Sequence, residues 1–337
     1  MTNLTASIFL TAVLAGQIAA KAETYEQAVQ KALRHLGQPI PQILKLDRAE
    51  SLDAKFLPAK IAVQKVVPRK FDDEIIDRLL KFTELDRRQT FKGANRGIFG
   101  TPGVKYFGVL EKDHTLAIIP ARGLVSYVRT EATDDKGDTA AVAQAKELLL
   151  PRALEIGKML GLHESDFARH PLTGKFDGTY SKIERSTFNT DLRVVQRSIF
   201  LRRSIAGLPV VTGHLYGGLW VGLGINGMVH EIKLTARATE PLSMIEAAPL
   251  DEQIIALRNS KQVFTVQWPE EFRTAKSLQE ATLVLELVEA VYFEAAPEDV
   301  QKIIPPLLRW EGELKSNNQK YPVILFTPIK VAKPKHD

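Results

Sequence analysis

Cysteine is absent from the sequence, which excludes disulfide bridges, thiolate metal sites and thiol nucleophiles together. The absence does not fix a compartment, because a chain of 337 residues can bury a core that needs no covalent staple. Long apolar runs are missing too. No stretch reaches the roughly 18 to 20 continuous apolar residues of a bilayer crossing, so no membrane span is expected. Concentrated charge of one sign is scarce: 45 Lys and Arg face 40 Asp and Glu, for a net charge of +5. Between Lys65 and Arg96 the bases are interleaved with Asp72, Asp73, Glu74, Asp77, Glu84 and Asp86. A nucleic-acid binder concentrates its positive charge on one face, so nucleic acid is not an expected partner. What is present, 45% hydrophobic and 25% charged residues, matches an ordinary folded chain and excludes extensive disorder.

One local absence is informative at the N-terminus. Residues 2 to 20 carry no charged side chain, Ile8 to Ala15 form an apolar run, and Ala20-Lys21-Ala22 fits a small-x-small cleavage site. The segment 1–22 therefore reads as a signal peptide cleaved before Glu23, although its first residues lack the usual Lys or Arg. The expectation is a secreted or periplasmic protein; the alternative is an N-terminal helix of a cytosolic one.

Periodicity divides the remainder. Tyr25, Ala28, Val29, Ala32, Leu33 and Leu36 recur at helical steps, with Gly37 as a stop. Four prolines (Pro39, Pro41, Pro58 and Pro68) mark residues 38 to 69 as a connector, so 23–70 is taken as an N-terminal helix and connector. Residues 71–138 then read as a first α+β unit, with a helix at 72–82 followed by short strands. Residues 139–245 form a second, with a helix at 140–160 interrupted by Pro151. Residues 246–329 form a third, and 330–337 a mobile basic tail. The recurring order of helix then antiparallel-looking strands predicts an α+β fold, made of repeated units in which a helix packs on a curved antiparallel sheet.

Motifs of catalysis fail on inspection. Gly222-Leu223-Gly224-Ile225-Asn226-Gly227 matches G-x-G-x-x-G, but the residues after it alternate like a strand. The pyrophosphate site of a dinucleotide fold needs a helix there. The glycines fit a strand edge and a hairpin tip, Asn226-Gly227 being a type I′ turn signal. His163-Glu164 begins an H-E-x-x-H pattern whose second histidine position holds Phe167. No nucleophile elbow, S-x-x-K or phosphate loop occurs. No catalytic residue, metal ligand or cofactor is assigned.

A second local absence marks the candidate surface. Leu192 to His230 contains no acid but holds Arg193, Arg197, Arg202 and Arg203, interleaved with Phe200, His214, Tyr216 and Trp220. Arg197, Arg202, Arg203, His214, Tyr216 and Trp220 are the candidate binding residues, for a protein or an anionic envelope polymer. Guanidinium groups suit carboxylate and phosphate recognition.

The same stretch carries a likeness. Arg203-Ser204-Ile205-Ala206-Gly207-Leu208-Pro209-Val210, the glycine-rich strand after it and Asn226-Gly227-Met228-Val229 are similar to PepSY-type modules. Such modules occur in the propeptides of zinc peptidases and in secreted bacterial regulators, where a helix precedes a hairpin of this kind. The helix from Leu148 to Gly161 takes the matching place. Val291-Tyr292-Phe293 and Pro305 to Gly312 resemble a later part of multi-unit members, so the likeness spans about residues 139 to 328. It implies a PepSY- or cystatin-like arrangement and a role in binding or inhibition rather than catalysis; no peptidase domain follows. The functional expectation is an exported, non-catalytic binding or regulatory protein using a basic and aromatic hairpin surface. The alternative is a secreted hydrolase whose site is assembled from distant segments.

Overall fold

The computed structural model describes residues 23–40, 45–48, 52, 57–86, 90–94, 105–110, 114–129, 139–171, 173–186, 192–212, 217–224, 227–260, 263–265, 268–272, 281–297, 299–316 and 319–332. The expected signal peptide 1–22, and His214 and Tyr216, lie outside the described residues.

The helical spacing after Thr24 produces α1 (Tyr25–Leu36). Its start is fixed by a capping box: the Gln27 backbone N–H donates to the Thr24 hydroxyl at 3.3 Å, and the Thr24 N–H donates to the Gln27 side chain at 3.0 Å. Such a cap contributes about 1 kcal/mol. The proline-marked connector is not irregular throughout. It carries β1 (Gln38–Pro39), β2 (Leu46–Arg48) and the eight-residue β3 (Lys60–Val67). Next come α2 (Asp73–Thr83), capped by Asp72, and the strands β4 (Thr90–Ala94), β5 (Lys105–Leu110), β6 (His114–Ile119) and β7 (Leu124–Arg129). The helix α3 (Thr139–Met159) runs as one element through Pro151.

The acid-free region is strand-rich, as its alternation requires. It spans β9 (Leu192–Arg202), which follows β8 (Gly178–Ser186), and then β10 (Ser204–Ile205), β11 (Leu208–Val211), β12 (Gly218–Leu223) and the start of β13 (Val229–Thr235). Ala206 and Gly207 both have positive φ, 49° and 81°, making the tight turn between β10 and β11. The chain then continues as β14 (Ala238–Glu246), α4 (Leu250–Asn259), β15 (Phe264–Thr265), β16 (Thr282–Phe293), β17 (Ile303–Ile304), β18 (Pro306–Ser316) and β19 (Gln319–Thr327).

These strands form three sheets. The first is eight-stranded and antiparallel throughout, in the order β4-β5-β6-β7-β13-β12-β9-β8. One face is covered by α2 and α3. Leu79 and Leu80 of the first helix and Leu149, Ala153 and Ile156 of the second pack on Leu116, Val125, Ile199, Leu201, Leu219 and Val221. The second sheet is also eight-stranded, with the path β1-β15-β19-β18-β16-β11-β10 and β2 beside β16. It is mixed, because β2 and β11 both run parallel to β16, against opposite ends of it. Residues Leu287 to Phe293 of β16 are all buried, as a strand covered on both faces must be. One face meets α1 through Leu33 and Leu36. The other meets Leu257 of α4 and Trp268. The third sheet is β14-β3-β17.

This architecture corrects the expected fold class. Strand makes up 49% and helix 25% of the structure, with four α-helices among the described residues, a curled mixed sheet and two further sheets. The expected repeat of a helix on its own curved sheet does not describe it. Hairpin periodicity within each segment is local, whereas the pairing that decides the fold is long-range. The first two expected units pool their strands into one sheet through the β7–β13 pairing. Strand β11 leaves that sheet to pair with β16, and β14 pairs back to β3, inside the supposed connector. The start of the expected mobile tail is tied down as well: the Ala248 N–H donates to the Lys330 carbonyl at 2.9 Å and the Ala332 N–H to that of Glu246 at 2.8 Å. No described helix is long and apolar enough to cross a membrane.

Candidate functional site

Strand alternation splits the candidate arginines between two faces of the first sheet. Arg197, Ile199 and Leu201 lie on the face that carries α3, since Ile199 and Leu201 belong to its core. Arg202 lies on the other face with Phe200 and Trp220, which are partners in register across β9 and β12. Trp220 is half-buried, and its indole N–H has no hydrogen-bond partner among the described residues.

Arg203 ends this row inside the protein. It is 8% exposed, which removes it from any accessible binding surface. Its Nη1 donates to Glu294 Oε2 at 3.1 Å and Oε1 at 3.3 Å, and its Nη2 donates to the Arg237 carbonyl. Glu294 is fully buried and also accepts the Arg237 backbone N–H at 2.9 Å. The Arg237 guanidinium, 2% exposed, donates to the carbonyls of Ala295 at 2.6 Å, Ala296 at 2.9 Å and Asp299 at 3.0 Å. Arg69 closes the group by donating to the carbonyls of Ala236 and Leu160, each at 3.3 Å. Burial pulls the guanidinium pKa of both Arg69 and Arg237 down from the ordinary arginine range. This knot fastens the first sheet to the end of β16. Its donors are spent on protein carbonyls, so it is a structural joint.

Arg202 is likewise engaged. It pairs with Asp177 at 3.0 Å, with about a quarter of each side chain exposed. Nearby Glu289 is ion-paired with Arg309, yet its carboxyl pKa is raised, because burial outweighs the attraction of that guanidinium. Of the candidate residues Arg202 and Arg203, the second is thus an internal cross-link and the first a half-buried ion pair.

The accessible basic and aromatic surface lies one strand away. A groove of about 630 Å³ opens beside β8. Leu150 of α3 contributes apolar surface to it, Ile199 and Leu201 of β9, each 1% exposed, lie at its floor, and Phe176, Arg169 and Lys175 border it. Local sequence builds the rim. Residues 169 to 176 form a small hairpin, with Arg169 bridged to Phe176, the His170 N–H bonded to the Lys175 carbonyl at 2.7 Å, and Gly174 at φ 66°. The Arg169 guanidinium lies 4.1 Å from the Phe176 ring centroid, donates to the Gly174 carbonyl at 3.1 Å and pairs with Glu164 at 3.4 Å. Gly178 lines the groove where β8 lies tight on β9, since a Cβ there would sit 3.1 Å from both the Leu201 side chain and the Phe200 carbonyl. Tyr180, 50% exposed, lines the groove from β8. Lys182 and Arg197 face each other across β8 and β9 on the same side of the sheet, with Lys182 ion-paired to Glu184.

The proposed metal-like and catalytic patterns resolve into local structure. Glu164–Asp166 is a single 3-10 turn, and the His163 backbone N–H is capped by Asp166 at 2.8 Å. None of His163, Glu164, Asp166 and His170 lines the groove. Among the described residues no group of three or more His, Asp or Glu is arranged to hold a metal ion. Gly222 and Leu223 of the G-x-G-x-x-G stretch belong to β12 and Gly227, at φ 72°, precedes the antiparallel β13, while Ile225 and Asn226 lie outside the described residues. Of the described candidate residues only Arg197 belongs to the groove side of the sheet. Arg169, Lys175, Phe176 and Tyr180 were not singled out, although Arg169 and Phe176 flank the Thr173-Gly174 turn at hairpin spacing.

Comparison with known proteins adds structural likeness and no named relative. No family model matches the chain, and no curated protein matches it. Among solved structures, an uncharacterized protein from Eubacterium rectale ATCC 33656 aligns over 88% of this chain and 94% of its own, at 11% identity and a TM-score of 0.44.

Proposed function

We propose that this chain is an exported binding protein without a catalytic role, and that it holds an anionic, partly apolar segment of a partner in the groove beside β8. The observation that carries the reading is the groove itself: an apolar lining from α3 and β9 bordered by Arg169 and Lys175, with Tyr180 exposed in it. Pockets that combine apolar surface with a few placed polar groups are the usual form of a binding site. Cations at the rim favour a carboxylate- or phosphate-bearing occupant. The likeness to PepSY-type modules, which bind partners, supports the same class. Export rests on the uncharged segment 2–20 and the Ala20-Lys21-Ala22 site. Capture from a native envelope extract tests the reading, comparing wild type with the Arg169→Ala, Lys175→Ala double variant. The wild type should retain a partner that the variant loses and that salt releases, because exposed charges are screened within about 10 Å at 0.1 M. Equal capture by both proteins would remove the groove from consideration. A mature N-terminus at Glu23 in the native protein is the matching result for export.

A further inference from the structure

The groove adjoins an edge strand whose first half, among the described residues, is lightly defended. Strand β8 ends the eight-stranded sheet and pairs only with β9 among the described residues. From Gly178 to Ile183 its register with β9 is regular, and residues 179 to 184 are all exposed. A strand edge of this kind presents a row of unpaired N–H and C=O groups. Proteins blunt such edges with proline, bulges or charge. The edge strand β14 is treated that way: it carries Pro241, a bulge between Pro241 and Ser243, and Glu240. In β8 the stretch Gly178 to Ile183 has no proline, the bulge comes only after Ile183, and the sole charged residue is Lys182. Tyr180 and Ile183 are moreover large apolar side chains about half exposed.

We propose, building on the binding reading above, that the occupant is an extended acidic peptide that adds to the first sheet as a ninth strand along β8. A peptide meets three needs of this surface at once. Its backbone satisfies the open edge, alternate apolar side chains enter the groove against Leu150 and Tyr180, and its carboxylates face Arg169 and Lys175. The acidic character follows from charge complementarity, since the groove is lined by Lys175 and Arg169 and no acid, the exposed Glu164 reaching Arg169 from outside the lining. A polyanionic polymer would satisfy the cations but leave the edge and the apolar surface unmatched.

Selection of a random twelve-residue peptide library on the folded protein, followed by hydrogen exchange, tests this. Enriched peptides should be acidic with alternating apolar residues, and should slow amide exchange within residues 178–186. They should bind the Arg169→Ala, Lys175→Ala variant about tenfold or more weakly. An analogue of the best peptide, N-methylated at alternate positions, should lose binding while keeping charge and side chains. Polyphosphate, the polymer probe, should displace the peptide only at ionic strengths where salt alone does. Retained binding by the N-methylated analogue, or unchanged exchange in 178–186, would overturn strand addition while leaving the groove reading intact. Equal enrichment on the double variant, or tight polyphosphate binding in place of peptides, would overturn the inference; equal enrichment would overturn the groove reading with it.

Discussion

At the junction between the sheets, Arg203 and Arg237 surround a Glu294 carboxylate that is fully buried; at the groove, Arg169 lies over Phe176 with 49% of its side chain exposed. The residue types are the same and the surroundings opposite. Water is excluded from the junction, so each guanidinium there is held by protein carbonyls and the shared carboxylate, and losing one partner strands the others. At the groove the cations keep one side to solvent and can exchange water for a ligand. Buried charge paired within the protein serves the fold, whereas charge beside an apolar groove is available for recognition.

The contrast can be broken most forcefully at Glu294. Replacement by Ala leaves Arg203 and the Arg237 backbone N–H without their shared acceptor, and should lower stability by about 3–5 kcal/mol, read from denaturant unfolding. A loss below about 1 kcal/mol would show that the junction is solvated and that the charges there are not a joint.

A subtler test uses pH at Glu289. Burial raises its folded carboxyl pKa above the unfolded value, despite Arg309. The group's contribution to stability is thus fully present below the ordinary glutamate range, and is lost as pH rises through the raised folded value. Glu289→Gln removes that dependence, so its unfolding midpoint should improve relative to wild type as pH rises from acid toward neutral. A difference that stays constant or runs the other way would mean that Arg309 more than offsets burial.

Much of the secondary structure was legible in the sequence, and the sheets were not. Helical spacing marks α1, α2 and α4, and alternation marks the strands of the acid-free region. Strand β3 was hidden by the prolines around it, although Lys60 to Val67 is rich in β-branched residues. Its partners, β14 and β17, lie far along the chain, and no local pattern announces such pairing. The acid partner of Arg203 was invisible for the same reason, being 91 residues away. Alternation along this strand puts Arg197, Ile199, Leu201 and Arg203 on one face. It could not show that the row runs from the groove at one end to the buried joint at the other. The groove rim was missed because Arg169 and Phe176 sit in a short turn that composition does not distinguish from any other loop.

The central claim is that neighbouring cations divide the work, Arg203 fastening the sheets through Glu294 and Arg169 with Lys175 meeting the partner. Two double variants, Arg202→Ala with Arg203→Ala and Arg169→Ala with Lys175→Ala, measured side by side for unfolding free energy and for binding of a selected acidic peptide, test it most directly. The account predicts that the first pair loses about 3 kcal/mol or more of stability, while the second changes stability by only about 0.5 kcal/mol and loses the peptide. A stable Arg202–Arg203 variant that fails to bind, beside an Arg169–Lys175 variant that binds normally, would contradict it.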